Sequence, residues 1–331
     1  MSSSIDISTT TLSPSSTWVK RFYAWIEERF PLVQGVLIAV MYAASLLAGR
    51  AIGAESLTLG LADIPGFFAL WAFFLMLRVF DEHKDYEKDL ENHPERVLQS
   101  GLITLDHLKG VGAIAVLVQL GASILADLES GAIGAATISW GVVMAWSALM
   151  AREFFVGAWL EKRLVLYAVS HMVVMPLAVF WIMQMGLATT WQNFPAAVPI
   201  LLVGFFAAAS LEVVRKTRAP QEERETVDSY TRTLGMSGAV VTGSALAMAS
   251  AAAQSWFLAG HLSAPWWLHL GVWCFPILLV SSLVAFRRDP SVSARKRNEG
   301  AVALAILGGY LMVLAGILLT HPLTLMNGVF S

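Results

Sequence analysis

Three aspartates, Asp81, Asp85 and Asp89, recur at intervals of four directly behind an apolar run from Phe67 to Leu77. On an α-helix, residues four apart lie about 40° apart around the axis and roughly 6 Å apart along it, so the three carboxylates form one acidic stripe. Hard oxygen donors in a stripe suit Mg²⁺, which usually takes one or two carboxylates from a protein and completes its shell with phosphate oxygens and water. The chemistry this implies is a metal-bridged diphosphate site at the mouth of a helical membrane bundle. Basic side chains stand close by in the same stretch, at Arg78, Lys84 and Arg96.

The elements that would position such a site are written in the composition. The chain has 331 residues, 56% of them hydrophobic and 14% charged, and a mean hydropathy of +0.64, which fits a polytopic membrane protein and not a soluble domain. Residues 1–17 are Ser/Thr-rich without an apolar core and read as a disordered tail, not a signal peptide. Residues 18–30 place Trp18, Phe22, Trp25 and Ile26 on one face, the pattern of an amphipathic helix lying in the headgroup layer. Nine apolar segments follow, near 31–49, 58–80, 108–126, 132–150, 164–186, 196–214, 236–258, 266–286 and 300–320. Each approaches the roughly 20 residues needed to cross the hydrocarbon core, so 31–331 reads as an all-α bundle of nine transmembrane helices.

Cationic residues orient that bundle. With nine spans, 21 of the 22 Lys and Arg residues fall on one side and Arg50 alone on the other. Lys and Arg are retained on the cytoplasmic side in short loops, so the N-terminus is expected inside and the C-terminus outside. The long polar loops, 81–107, 215–235 and 287–299, then all lie on the cytoplasmic side, and hydrophilic chemistry is expected there. The spans carry almost no ionisable groups, which argues against a proton relay or an ion path through the bilayer. His171 is the exception and reads as hydrogen-bonded packing. Cys274 cannot form an internal disulfide and reads as a packing residue inside its apolar run.

The run Asp81-Glu82-x-x-Asp85-x-x-x-Asp89, followed by Arg96 and Gly101-x-Ile103-Thr104, resembles the first aspartate-rich motif of the UbiA superfamily of intramembrane prenyltransferases. The resemblance implies nine transmembrane helices, two aspartate-rich cytoplasmic loops, and an isoprenyl diphosphate bound through Mg²⁺. Asp81 stands where that family usually has Asn, and Val97 where it usually has Pro; neither change removes the metal chemistry.

The second loop departs further. Glu212 can take the first acidic position and Leu234-Gly235 resembles the motif's exit, yet Lys216 stands where a carboxylate is expected. Two readings stay open. Arg215, Lys216 and Arg218 could neutralise the diphosphate as fixed cations, or Glu212, Glu222 and Asp228 could fold back onto a second metal ion. Lys162, beside Arg163 in the loop after span four, falls where family members carry further basic residues. Trp71, Phe73, Phe74, Trp140, Trp146, Phe180 and Trp181 are candidates to line a dry cavity for a carbocation.

The function so implied is Mg²⁺-dependent ionisation of an isoprenyl diphosphate and transfer of the prenyl group to a lipophilic acceptor. A terpene cyclase of the same superfamily, needing no acceptor, is the alternative; a non-catalytic lipid-binding bundle or transporter is a third. Asp81, Asp85 and Asp89 are the expected catalytic residues, with Glu212 and Asp228 as further metal ligands. Arg78, Lys84, Arg96, Lys162, Arg215, Lys216 and Arg218 are the expected phosphate-binding cations. An integral protein of a bacterial cytoplasmic membrane is implied, in contact with lipids and with no nucleic-acid partner.

Overall fold

The structure is a computed structural model, and it describes residues 12–53, 57–131, 134–160, 162–186, 193–224 and 228–326. The helices are α1 (Trp18–Arg29), α2 (Gln34–Gly53), α3 (Ile64–Lys84), α4 (Tyr86–Asn92), α5 (Leu105–Ser130), α6 (Ala135–Ala151), α7 (Gly157–Leu160), α8 (Leu164–Met172), α9 (Val174–Gly186), α10 (Phe194–Arg215), α11 (Tyr230–Gly260), α12 (Trp266–Arg288) and α13 (Val292–Thr320). Two four-residue strands, β1 (Leu57–Gly60) and β2 (Leu323–Met326), pair in parallel with Leu57 opposite Leu323. The tail expected over 1–17 lies outside the described residues as far as residue 11.

Eight helical stretches among the described residues are long and apolar enough to cross a membrane: Gln34–Gly53, Leu61–Lys84, Leu105–Ser130, Leu164–Gly186, Phe194–Arg215, Tyr230–Gly260, Trp266–Arg288 and Val292–Thr320. The remaining expected span, 132–150, corresponds to α6, whose 17 residues rise about 26 Å against a core of about 30 Å. The described residues thus give eight spans and one short apolar helix where nine spans were expected. α6 begins on a buried carboxylate: Asp127 of α5 accepts the Ala136 amide at 2.8 Å and the Thr137 amide at 3.0 Å. Two orphan N–H groups of the first turn are satisfied, and a negative charge meets the positive end of the helix dipole.

The chain divides into two compact units, residues 1–39 with 65–122 and residues 40–64 with 123–331. In the first, Trp25, Ile26 and Phe30 are buried, and Phe30 meets Trp71 edge-on at 5.3 Å. The apolar face assigned to the headgroup layer is therefore divided. Trp18 at its start is 41% exposed, whereas Trp25 is wholly enclosed by protein.

In the second unit α10 packs on α11, α11 on α12 and α12 on α13, around a core that includes Leu47, Met183, Phe257, Leu268 and Ile317. α2 and α9 approach through glycines. A Cβ placed on Gly49 would stand 2.7 Å from the Met183 carbonyl oxygen, and one on Gly186 2.6 Å from that of Leu46. Small residues permit such backbone contact where lipid supplies no hydrophobic drive between helices. α11 starts on Ser229, whose hydroxyl accepts the Arg232 amide at 3.0 Å. Its first turn is offset from the rest by Gly235, at φ +70° and ψ 163°, a region essentially reserved to glycine.

Arg50, the lone outer-side cation of the sequence reading, is fully engaged in this unit. Its guanidinium grips Asp63 at 2.6 and 3.1 Å and donates to the carbonyls of Gly186, at 3.2 Å, and of Thr58 in β1. Asp63 also accepts the Gly60 amide at 3.0 Å. Cys274 differs from its expected packing role: it is exposed on α12.

Candidate active site

The aspartate stripe forms as its spacing implies, with a joint in it. α3 ends at Lys84 and α4 begins at Tyr86, with Asp85 between them at φ −97° and ψ 7°. The helical hydrogen bonds nevertheless run on, from the Asp85 amide to Asp81 O and from the Asp89 amide to Asp85 O, each at 2.8 Å. Asp81, Asp85 and Asp89 therefore stay on one side of a nearly continuous rod.

Their environments differ sharply. Asp81 has a side chain 58% exposed and lies 3.8 Å from Arg78. Asp89 is 18% exposed and is held by Arg96 at 2.6 Å and by Arg29 at 3.3 Å. Between them in sequence, Glu82 is wholly buried, and its Oε1 accepts from Arg29 at 2.6 Å and from both Nε, at 2.9 Å, and Nη2 of Arg78. Glu82 Oε2 is buried without a hydrogen-bond partner. The two carboxylates on this flank, Glu82 and Asp89, are thus knitted to three arginines. Lys84 is exposed at the end of α3.

The loop behind α4 is tied to α1. Glu28 Oε2 accepts the Val97 amide at 3.1 Å, and Arg21 Nη1 donates to the Leu102 carbonyl at 3.0 Å. Val97, Leu98 and Ile103 are buried, so the turn carrying Arg96 is anchored by apolar packing as well. Arg29, Glu28 and Glu82 were not singled out as site residues from the sequence. The local signal for Glu82 is its position four residues after Arg78 on a helix; Arg29 is 53 residues from Glu82 and leaves none.

In the second unit the cations at the end of α10 are occupied by a carboxylate. Glu212 pairs with Lys216 at 2.6 Å and with Arg215 at 2.7 Å, giving a cluster of one negative and two positive charges. Glu222, proposed from sequence as a partner of Glu212, instead pairs with Arg295 of α13 at 2.7 Å. The Arg218 guanidinium turns to its own loop, Nη1 donating to the Glu222 carbonyl at 3.4 Å, while the Arg218 amide donates to Thr231 Oγ1 at the start of α11 at 2.8 Å. Asp228 and Lys162 are both exposed. Among the described residues no three His, Cys, Asp or Glu side chains converge closely enough to hold a metal ion by themselves.

Of the aromatic candidates, Phe73 and Trp181 are fully buried, the indole N–H of Trp181 donating to Ser123 at 2.9 Å. The Trp146 indole donates to the Ser170 carbonyl at 3.1 Å. His171 lies stacked on Tyr167, with ring centroids 4.0 Å apart, and its Nδ1 meets the Tyr167 carbonyl at 2.8 Å, the packing role expected of it.

No protein-family model and no curated protein sequence matches the chain. Solved structures do. One comes from work on digeranylgeranylglyceryl phosphate synthase in membranes, at 15% identity over 90% of this chain and 99% of that one, with a TM-score of 0.60. Another is the apo form of a UbiA homolog from Aeropyrum pernix K1, at 14% identity over 87% and 98% of the two chains, with a TM-score of 0.62. The resemblance read from the aspartate motif is borne out in the fold, an all-α membrane bundle of the UbiA type.

Proposed function

We propose that the protein is an Mg²⁺-dependent intramembrane enzyme that ionises an isoprenyl diphosphate and transfers the prenyl group to a lipophilic acceptor. The observation carrying this is the aspartate stripe at the end of α3, set beside Arg78 and Arg96, in a chain with a UbiA-type fold. Asp81 and Asp85 are the carboxylates that would hold the metal. They are hard donors at the water-facing end of an apolar helix, and Mg²⁺ asks the protein for only one or two. Glu82 and Asp89 fit that part less well, because arginines already neutralise them.

When bound, Mg²⁺ neutralises charge that builds on a leaving diphosphate. The chain's own cations act at the same end: Arg78, Lys84 and Arg96 offer donors to phosphate oxygens, the arginines as planar forks. The allylic carbon–oxygen bond breaks and its electron pair leaves with the diphosphate. The acceptor's nucleophilic atom then bonds to the carbocation and gives up a proton. Apolar spans serve this step by keeping water, a competing nucleophile, away from the cation. The distribution of Lys and Arg supports a cytoplasmic position for the motif.

One observation supports a second reading. The end of α10, where a second set of metal-binding carboxylates is expected to begin, offers Glu212 already paired with Arg215 and Lys216. Such a departure suits a specialised outcome, a terpene cyclase in which the substrate's own double bond captures the cation. Diphosphate release from purified protein tests both. Prenyl diphosphates from geranyl to geranylgeranyl are supplied with Mg²⁺ or with EDTA, with and without membrane extract, to wild type and to Asp85→Ala. Release that needs Mg²⁺ and falls about 100-fold or more in Asp85→Ala supports the ionisation chemistry. A hydrocarbon formed without an acceptor selects the cyclase; no release from any substrate returns the chain to the non-catalytic bundle.

A further inference from the structure

Asp85 sits at the joint between α3 and α4, and one guanidinium spans that joint. Arg29 bonds Glu82 on the α3 side at 2.6 Å and Asp89 on the α4 side at 3.3 Å. We infer that Arg29 is a positioning residue, and that α1 is a strap fixing the angle between α3 and α4 and with it the approach of the Asp81 and Asp85 carboxylates. This rests on the proposed role of those two aspartates.

The physical need for a strap follows from length. α4 has seven residues, too few to be stable alone in water, and its backbone is joined to α3 only through the hydrogen bonds that run across Asp85. No residue of α4 is buried, so apolar packing does little to hold it. Its order depends on polar ties, and those described run from Asp89 to Arg29 and Arg96. Arg29 is itself well placed to transmit rigidity. It leaves α1 next to Trp25 and Ile26, both buried, and just before Phe30 on Trp71, so its base cannot drift. Glu28 and Arg21 extend the same grip to the backbone of Val97 and Leu102. From one helix, three charged side chains reach the segment 82–102 at four points.

A headgroup anchor would use α1 differently, with its charged residues in water or lipid and its rings outward. The arrangement instead divides labour within the acidic run: Glu82 and Asp89 serve as the strap's attachment points, apart from Asp81 and Asp85, the proposed metal ligands.

Hydrogen exchange and Mg²⁺ titration together test this, on the full-length protein in detergent or nanodiscs. Arg29→Ala and Asp89→Asn are compared with wild type, with Glu27→Ala on the exposed side of α1 as control. Expected in both test variants are amide exchange across Tyr86–Asn92 faster by about tenfold or more, and an Mg²⁺ concentration for half-maximal diphosphate release raised by about tenfold, the scale of one lost charge-assisted hydrogen bond. At saturating Mg²⁺ most of kcat returns. The double variant adds little to either single one, because both break the same tie. Unchanged exchange over α4 overturns the strap; faster exchange with an unaltered Mg²⁺ requirement overturns the positioning role. If wild type releases no diphosphate, the proposed function has failed, and the exchange comparison still decides whether α1 holds α4.

Discussion

Replacing Arg50 by methionine should destabilise the protein, and the structure sets the scale. Both members of the Arg50–Asp63 pair have side chains only 15% exposed. Methionine would leave Asp63 without its guanidinium and strip a donor from the carbonyls of Gly186 and Thr58. Removing one partner of a buried ion pair costs about 3–5 kcal/mol, chiefly because the other charge is stranded. The Gly60 amide still serves Asp63, and some water reaches the pair, so about 2–4 kcal/mol is the reasoned value. At the usual unfolding entropy per residue, a chain of this length would lose about 3–6 °C of Tm. The assay is thermal unfolding in one detergent, followed by tryptophan fluorescence. Adding Asp63→Asn should recover more than half the loss, since the stranded charge is removed while the Gly60 amide keeps an acceptor. A shift below about 1 °C in Arg50→Met, or no recovery in the double variant, would refute the reasoning and return Arg50 to an ordinary surface cation.

Two further outcomes follow from the cited geometry. Lys216→Ala should weaken diphosphate affinity by about tenfold, measured as Kd or KM, with little change in Tm because Arg215 still neutralises Glu212 at 2.7 Å; unchanged affinity would confine Lys216 to its ion pair. Burial pushes the His261 imidazole, stacked on Phe257, below its ordinary value. The folded protein then binds that proton less tightly than the unfolded chain, so stability is present above the unfolded pKa and lost as pH falls through it. Between about pH 7.5 and 5.5 the Tm of wild type should drop more than that of His261→Asn, and parallel curves would show that folding does not lower the proton affinity of His261.

Length and hydropathy made the bundle legible, because a bilayer imposes the same requirement on every span. The expected segments 196–214 and 266–286 match α10 and α12 within two residues. Where matching fails, a local cause is visible. α6 is short because its first turn is fixed by Asp127, a residue the apolar count treats as a mere interruption. α11 extends back to Tyr230 because Ser229 caps it and Gly235 lets one turn sit offset, neither of which changes a hydropathy average. The aspartate stripe was legible for the opposite reason: its period of four is a statement about one helix, and one helix carries it.

What the sequence could not supply is which charges pair at a distance, and this decides what each charge can do. Arg29, Arg50 and Arg78 are each one charge in a count of cations, and topology sorts them only by side. In the structure Arg50 closes on Asp63, Arg78 on a neighbour one turn away, and Arg29 on two carboxylates more than fifty residues on. The same sorting applies to the acids. Glu82 and Asp81 are adjacent in sequence, yet one is wholly buried and the other mostly exposed, because neighbours on a helix point about 100° apart. A carboxylate enclosed with arginines costs too much to uncover for a passing metal ion, whereas one mostly in solvent costs less to bring to a ligand. Burial, therefore, and not identity as Asp or Glu, is what separates Asp81, fit to bind, from Glu82, fit to hold, and variants should divide along that line: stability lost at Glu82, metal response lost at Asp81, and Asp89 moving with Arg29.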